Sequence, residues 1–131
     1  MISKEEMFKP ILAVSDGFRP IWNEFVSEWE DEAELPQYLA LSDLATYISG
    51  LVTESRTREL SDIFEVIERW LIEGDGYVRE AAIVGILEDL QNTNVVGSDV
   101  PDKVQELLPP ESQKQWAKII EFWDTGRITS E

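Results

Sequence analysis

This sequence predicts an all-α fold: six or seven helices in irregular antiparallel pairs, forming a single domain over residues 1–131. Three observations carry the expectation. Apolar residues recur at spacings of three and four along most of the chain, the mark of a helix with one buried face. Pro, Gly and small polar residues break these runs where one helix should end and another begin. No stretch alternates strictly between apolar and polar residues, as a half-buried strand would.

The clearest pair lies between Leu60 and Asn92. Leu60, Ile63, Phe64, Ile67, Trp70 and Leu71 share one helical face, and Val78, Ala81, Ala82, Ile86, Leu87 and Leu90 share another. Glu73-Gly74-Asp75-Gly76 separates them. Gly74 can take the left-handed conformation that closes a helix, and Asp75 can cap the next one. So short a connection makes the two helices antiparallel neighbours. Ala81, Ala82 and Gly85 lack bulk, so another helix can approach there.

Asp75-Gly-Tyr-Val78-Arg79-Glu-Ala-Ala82 resembles the helix opening of a HEAT-type repeat, with a capping acid, a buried Val, an Arg beside it and a small Ala one turn on. The resemblance implies packed, HEAT-like helical pairs and names no activity. An ordinary hairpin with an Asp cap accounts for the same residues.

Before this pair, Ser3-Lys-Glu-Glu6 has the form of a capping box. Met7, Phe8, Ile11, Leu12 and Val14 then predict a short helix, with a kink or early break at Pro10. Ser15-Asp16-Gly17 is a turn. Ile21, Trp22, Phe25, Val26 and Trp29 mark a second helix from Phe18 to about Glu30, with Pro20 in its first turn. Leu35-Pro36 breaks it. Ser42 or Asp43 is the expected cap of a third helix through Leu44, Ala45, Tyr47, Ile48, Leu51 and Val52, in which Gly50 could permit close packing. Thr53–Thr57 is a turn. Beyond Asn92, Thr93–Asp99 reads as a loop whose Val95 and Val96 could be tucked in or exposed. Ser98 or Asp99 caps a short helix from Pro101 to about Leu107. A last helix begins at Glu111, buries Trp116, Ile119, Ile120 and Trp123, and ends at Gly126.

Composition narrows the function. A hydrophobic fraction of 43% and thirteen aromatic residues argue against disorder. No apolar run nears the roughly 18 residues of a membrane span. Acids stand in MISKEEMFKP where a secretory signal has its apolar segment, so a cytoplasmic protein is expected. With no His and no Cys, the usual zinc sites and the Cys–His and Ser–His–Asp nucleophile systems are excluded. Only carboxylates, Lys, Tyr, Ser and Thr remain as acid–base groups, which handicaps an enzyme; the chain is expected to be none and to need no cofactor, with a carboxylate-dependent hydrolase as the remaining enzymatic reading. Glu24/Glu28 and Glu65/Glu68 have the spacing of di-metal carboxylates, but the Glu-x-x-His element is absent, so exposed helix acids account for them better. Trp22, Trp29, Trp70, Trp116 and Trp123 lie on apolar faces and read as core, not as a stacking platform.

Charge is the largest departure from the average. Eleven basic and twenty-seven acidic residues leave −16. Nucleic acid and anionic membrane would repel such a surface, whereas a cationic protein would be drawn to it. Between Arg19 and Arg56 there is no basic residue, yet Glu24, Glu28, Glu30, Asp31, Glu32, Glu34, Asp43 and Glu54 all fall there. A solvated acidic face and a binding face for a cationic partner are the two readings.

Asp75-x-Tyr77-Val78, then Val84-Gly85-x-Leu87-Glu88-Asp89-Leu90-Gln91-Asn92, Leu108-Pro109-x-Glu111-Ser112 and Phe122-Trp123, resemble small acidic helical immunity proteins of contact-dependent and other polymorphic toxin systems. The resemblance covers roughly residues 40–125 and implies a cytoplasmic antidote that covers the active site of one toxin. Nuclease toxins carry basic surfaces for phosphates, so a nuclease, an RNase above all, is the expected partner. The eight acids above are the candidate contacts, inferred from charge alone. A HEAT-like scaffold or adaptor for a cellular protein is the alternative.

Overall fold

The Asp75 carboxylate accepts a hydrogen bond from the Val78 amide at 2.9 Å, which satisfies one of the free donors that any helix start leaves open. The helix that follows is a composite, α5: an α-helical turn Gly76–Glu80, a π-helical stretch Ala81–Leu87 and a last turn Glu88–Gln91. The computed structural model describes residues 1–92, 96–97 and 99–125. These form seven helices and no strand. The other six are α1 (Phe8–Val14), α2 (Arg19–Glu28), α3 (Gln37–Thr53), α4 (Thr57–Glu73), α6 (Val100–Leu107) and α7 (Pro110–Thr125).

The amphipathic stripe of α4 sets the architecture. Leu60, Ile63, Phe64, Ile67, Trp70 and Leu71 are all buried, and α1, α3, α5, α6 and α7 all touch this helix. Three residues join α3 to α4 and two join α4 to α5, so consecutive helices return alongside one another. Trp70, fully buried, donates its indole N–H to the Met7 carbonyl at 2.9 Å and stands edge-on to Phe8, which ties α1 to α4. On α5, Ala81, Ala82 and Gly85 are buried as their small size predicts. A Cβ on Gly85 would meet Leu41 Cδ1 at 2.6 Å, so the backbones of α3 and α5 lie close there.

Several expectations need correction. Gly74 closes α4 in an extended conformation (φ −74°, ψ 153°), not a left-handed one. A strand-like contact explains it: the Ile2 N–H donates to the Glu73 carbonyl at 2.8 Å, and the Asp75 N–H donates to the Ile2 carbonyl at 2.9 Å. Glycine is needed for space, because a Cβ would fall 2.6 Å from Val78 Cγ1. Pro10 does not break α1, since it is the third residue and its missing N–H lies in the unbonded first turn. Helix α3 begins at Gln37, directly after Pro36. Ser42 and Asp43 are therefore interior, and Ser42 donates instead to Asp89 on α5 at 2.8 Å. Gly50 faces open space and permits no close contact. Ile120, assigned to the buried stripe of the last helix, is exposed, as is Val14 at the end of α1.

The α3–α4 turn is a Schellman motif built without glycine. The Arg56 amide reaches the Leu51 carbonyl at 2.9 Å, the Ser55 amide reaches Val52 at 3.1 Å, and Ser55 itself sits at φ 58°. Near the N-terminus the Ser3 hydroxyl and amide both donate to the Glu6 carboxylate, which holds it below the usual carboxylate range. Val96 is tucked in, whereas Val95, Ser98 and Gly126 lie outside the described residues, as does the Trp123 side chain. Asp99 precedes α6 without a side-chain cap.

Candidate functional site

Four residues apart on a helix is one turn, so Glu24 and Glu28 stand on the same side of α2. Facing them across a groove is Asp43, in the interior of α3. Ile21, Phe25, Thr46 and Tyr47 complete the lining of a cavity of about 340 Å³. All three acids are exposed, and none is in an ion pair among the described residues. Unneutralised like charges repel across the groove, and a cation placed between them would relieve that repulsion.

The floor of the groove is held from behind. Tyr47 donates its hydroxyl to Glu59, which also accepts from the Ser15 hydroxyl at 2.7 Å and from Arg56 at 3.5 Å. Burial, and then the bond to Glu59, push the Tyr47 hydroxyl above its ordinary value, so it stays a neutral wall. A Cβ at Gly17 would overlap that hydroxyl, so the Ser15-Asp16-Gly17 turn needs its glycine for space.

The other sequence-predicted acids separate into two groups. Glu30, Asp31 and Glu32 follow the end of α2, exposed and without ion pairs among the described residues, and they extend the acidic face from Glu28. Glu34 and Glu54 do not share this character. Lys4, distant in sequence, pairs with Glu34 at 3.3 Å, and Arg56 lies 3.8 Å from Glu54. Glu54 also stands at the far end of α3, roughly 16 Å from Asp43 along the helix. Six of the eight acids are thus without an ion pair among the described residues, and three of them line one groove.

Among the described residues, no group of three or more His, Cys, Asp or Glu side chains is placed to hold a metal ion, and no helix is long and apolar enough to cross a membrane. Glu68, read from its spacing as an exposed acid, is buried. It accepts from the amides of Glu111 and Ser112 at 3.0 and 2.8 Å and from the Ser112 hydroxyl at 2.8 Å. It is the cap of α7, supplied from α4. Its place one turn after Phe64, inside the apolar stripe, was the available signal. The bonds of Glu59 to Ser15 and Tyr47 and a ring contact between Tyr38 and Tyr77 had no such signal, because these partners are remote in sequence.

A family model described as a domain of unknown function, DUF7674, matches residues 9–124. The chain belongs to this family. The DUF7674 match takes in every acid of the groove and of the loop after α2, and Lys4 precedes it. No curated protein and no solved structure matches the chain.

Proposed function

We propose that this chain is an antidote that binds a cationic protein toxin, a nuclease and specifically an RNase, and covers the basic surface with which the toxin holds phosphates. One observation carries the reading: Glu24, Glu28 and Asp43 converge on one groove from two packed helices, with no cation of the described residues to neutralise them. The packed helices fix the backbone positions of the three acids, so only their exposed side chains remain to be ordered when a partner arrives. Glu30, Asp31 and Glu32 enlarge the field beyond the groove and would speed encounter. The sequence resemblance to immunity proteins supports the same direction and implies that antidote and toxin would meet in the cytoplasm.

The test begins with the neighbouring genes, where a toxin domain encoded immediately upstream is expected, and then uses that domain. Co-expression of the full chain should restore growth to cells making that domain. Association measured at low and high salt should slow, and its salt dependence flatten, when Glu24, Glu28 and Asp43 are together replaced by their amides. Neutralising Glu30, Asp31 and Glu32 should act on the association rate and leave dissociation nearly unchanged. Growth that is not restored would favour an adaptor for a cellular protein instead. Equal association rates for wild type and the groove variant at low salt would remove the groove from the interface.

A further inference from the structure

A cavity of about 500 Å³ lies where α1, the first turn of α2 and the segment before α3 come together. It shares no lining residue with the α2–α3 groove, and its size is in the range of small-molecule pockets. Phe8, Leu12, Trp22 and Leu35 give it apolar walls. The Trp22 ring stacks on Phe8 with centroids 4.5 Å apart and is itself only half-buried, so part of an aromatic surface is left for a ligand to cover.

One polar side chain stands among these walls with its bonding incomplete. Gln37, the first residue of α3, lines the cavity and is only 9% exposed. Its amide nitrogen donates to the Lys4 carbonyl at 3.1 Å. Only the nitrogen can donate to a carbonyl, so the orientation of the amide is fixed. Its other end, Oε1, is buried and accepts no hydrogen bond from the described residues. A buried acceptor left in this way costs stability, and a donor on a bound molecule would recover that cost. Water could bond to Oε1 but would gain nothing from Trp22 or Leu35.

The charges around the cavity cancel, unlike those of the molecule. Lys4 and Lys9 are balanced by Glu5 and Glu34, and Lys4 pairs with Glu34 at 3.3 Å. A chain at −16 overall thus presents a neutral pocket here, with no attraction for the basic surface of a toxin. We propose that the cavity binds a small, uncharged, planar aromatic molecule with one N–H or O–H donor, of the indole or phenol class. Its ring lies against Trp22 and its donor bonds to Gln37 Oε1. The site is additional to the acidic groove and does not depend on the chain being an antidote.

Indole is the probe, titrated into the full ¹⁵N-labelled protein. Loss of signals in Trp22→Phe and Gln37→Leu assigns the Trp22 indole N–H and the Gln37 side-chain amide. Both should shift, while the indole N–H of Trp116, buried on α7, stays in place. 1-Methylindole keeps the ring and lacks the donor, so it should bind about two- to tenfold more weakly, the range of one net hydrogen bond. Gln37→Leu should weaken indole to the level of 1-methylindole and leave 1-methylindole nearly unchanged. An unmoved Trp116 signal shows that this variant folds; if it does not fold, the two probes on the unaltered chain still decide. Equal affinity for indole and 1-methylindole, or a preference for indole that survives Gln37→Leu, would overturn the site. So would Trp22 and Gln37 signals that no probe moves, which would leave water as the occupant. N-Acetyltryptophanamide presents the same ring as a protein side chain would, and tighter binding of it than of indole would overturn the free-molecule reading in favour of a partner's tryptophan.

Discussion

Glu68 and Ser112 form the tightest polar link between α4 and α7: one carboxylate oxygen receives both the amide and the hydroxyl of Ser112, each at 2.8 Å. The other oxygen takes the Glu111 amide at 3.0 Å, so an acid one turn inside the apolar stripe of α4 serves as the N-terminal cap of a helix more than forty residues away. A negative group at a helix N-terminus also meets the positive end of its dipole. Because Glu68 and Ser112 are both buried, removing one leaves the other without water to replace it.

Glu68→Ala should therefore cost about 2–3 kcal/mol, since it strands buried donors as well as deleting bonds to a charged acceptor. Chemical denaturation measures the total. Hydrogen exchange should show faster opening at the first amides of α7 than in α3. A uniform effect along the chain would mean that the carboxylate is not acting as a cap.

Two glycines should respond in opposite directions to the same change. Gly74→Ala places a methyl against Val78 and the Trp70 carbonyl and should cost about 1–3 kcal/mol, although its φ of −74° suits any residue. Gly50→Ala meets nothing within 4 Å inside a helix and should gain about 0.5–1 kcal/mol. Paired thermal melts suffice to compare them.

Ser55 carries a side chain at φ 58° in the α3–α4 turn. The left-handed region costs such a residue about 1–2 kcal/mol, and glycine gives part of this back through a more flexible unfolded chain. Ser55→Gly should stabilise by about 0.5–1 kcal/mol. A loss of stability would show that the Ser55 side chain contributes more than its backbone costs.

The Glu88 carboxyl is held above its ordinary 4.5 by burial and then by its neighbour Asp89. An acid whose folded value is raised binds its proton more tightly in the folded chain. The penalty on stability therefore grows as the pH rises from 4.5 through the folded value, is complete above it, and is gone below 4.5, where both states are protonated. Glu88→Gln should accordingly raise the melting temperature at pH 7 and make no difference near pH 4. A constant offset across that range would point to packing of the new side chain, not to charge.

Much of this was legible because helices announce themselves locally. The stripe Leu60–Leu71 and the Asp75 cap depend on neighbours three and four residues away, and both stand where the spacing put them. What could not be read depends on partners distant along the chain. Gly74 is extended because Ile2 pairs beside it, and Ser42 turns to Asp89 because α3 already began at Gln37. The π-helical stretch Ala81–Leu87 was equally hidden, since its apolar residues fit an ordinary helix on paper. Among the candidate contacts, Glu24 and Glu28 could be paired from their spacing. Asp43 joins them only through the packing of α2 on α3, and Lys4 removes Glu34 from the uncompensated set only by folding back over Tyr77.

The pairing of Ile2 with Glu73 and Asp75 has a kinetic consequence. Neither bond can form until the α4–α5 turn exists to receive it, and the loop it closes spans more than half of the chain. The helical hairpin, whose contacts are short in sequence, can assemble early, while the segment carrying Ile2 and Met7 is expected to arrive late and to leave first. Its departure would break the Trp70–Met7 hydrogen bond, so in a variant whose other four tryptophans are replaced by phenylalanine the indole emission would report the earliest step of unfolding.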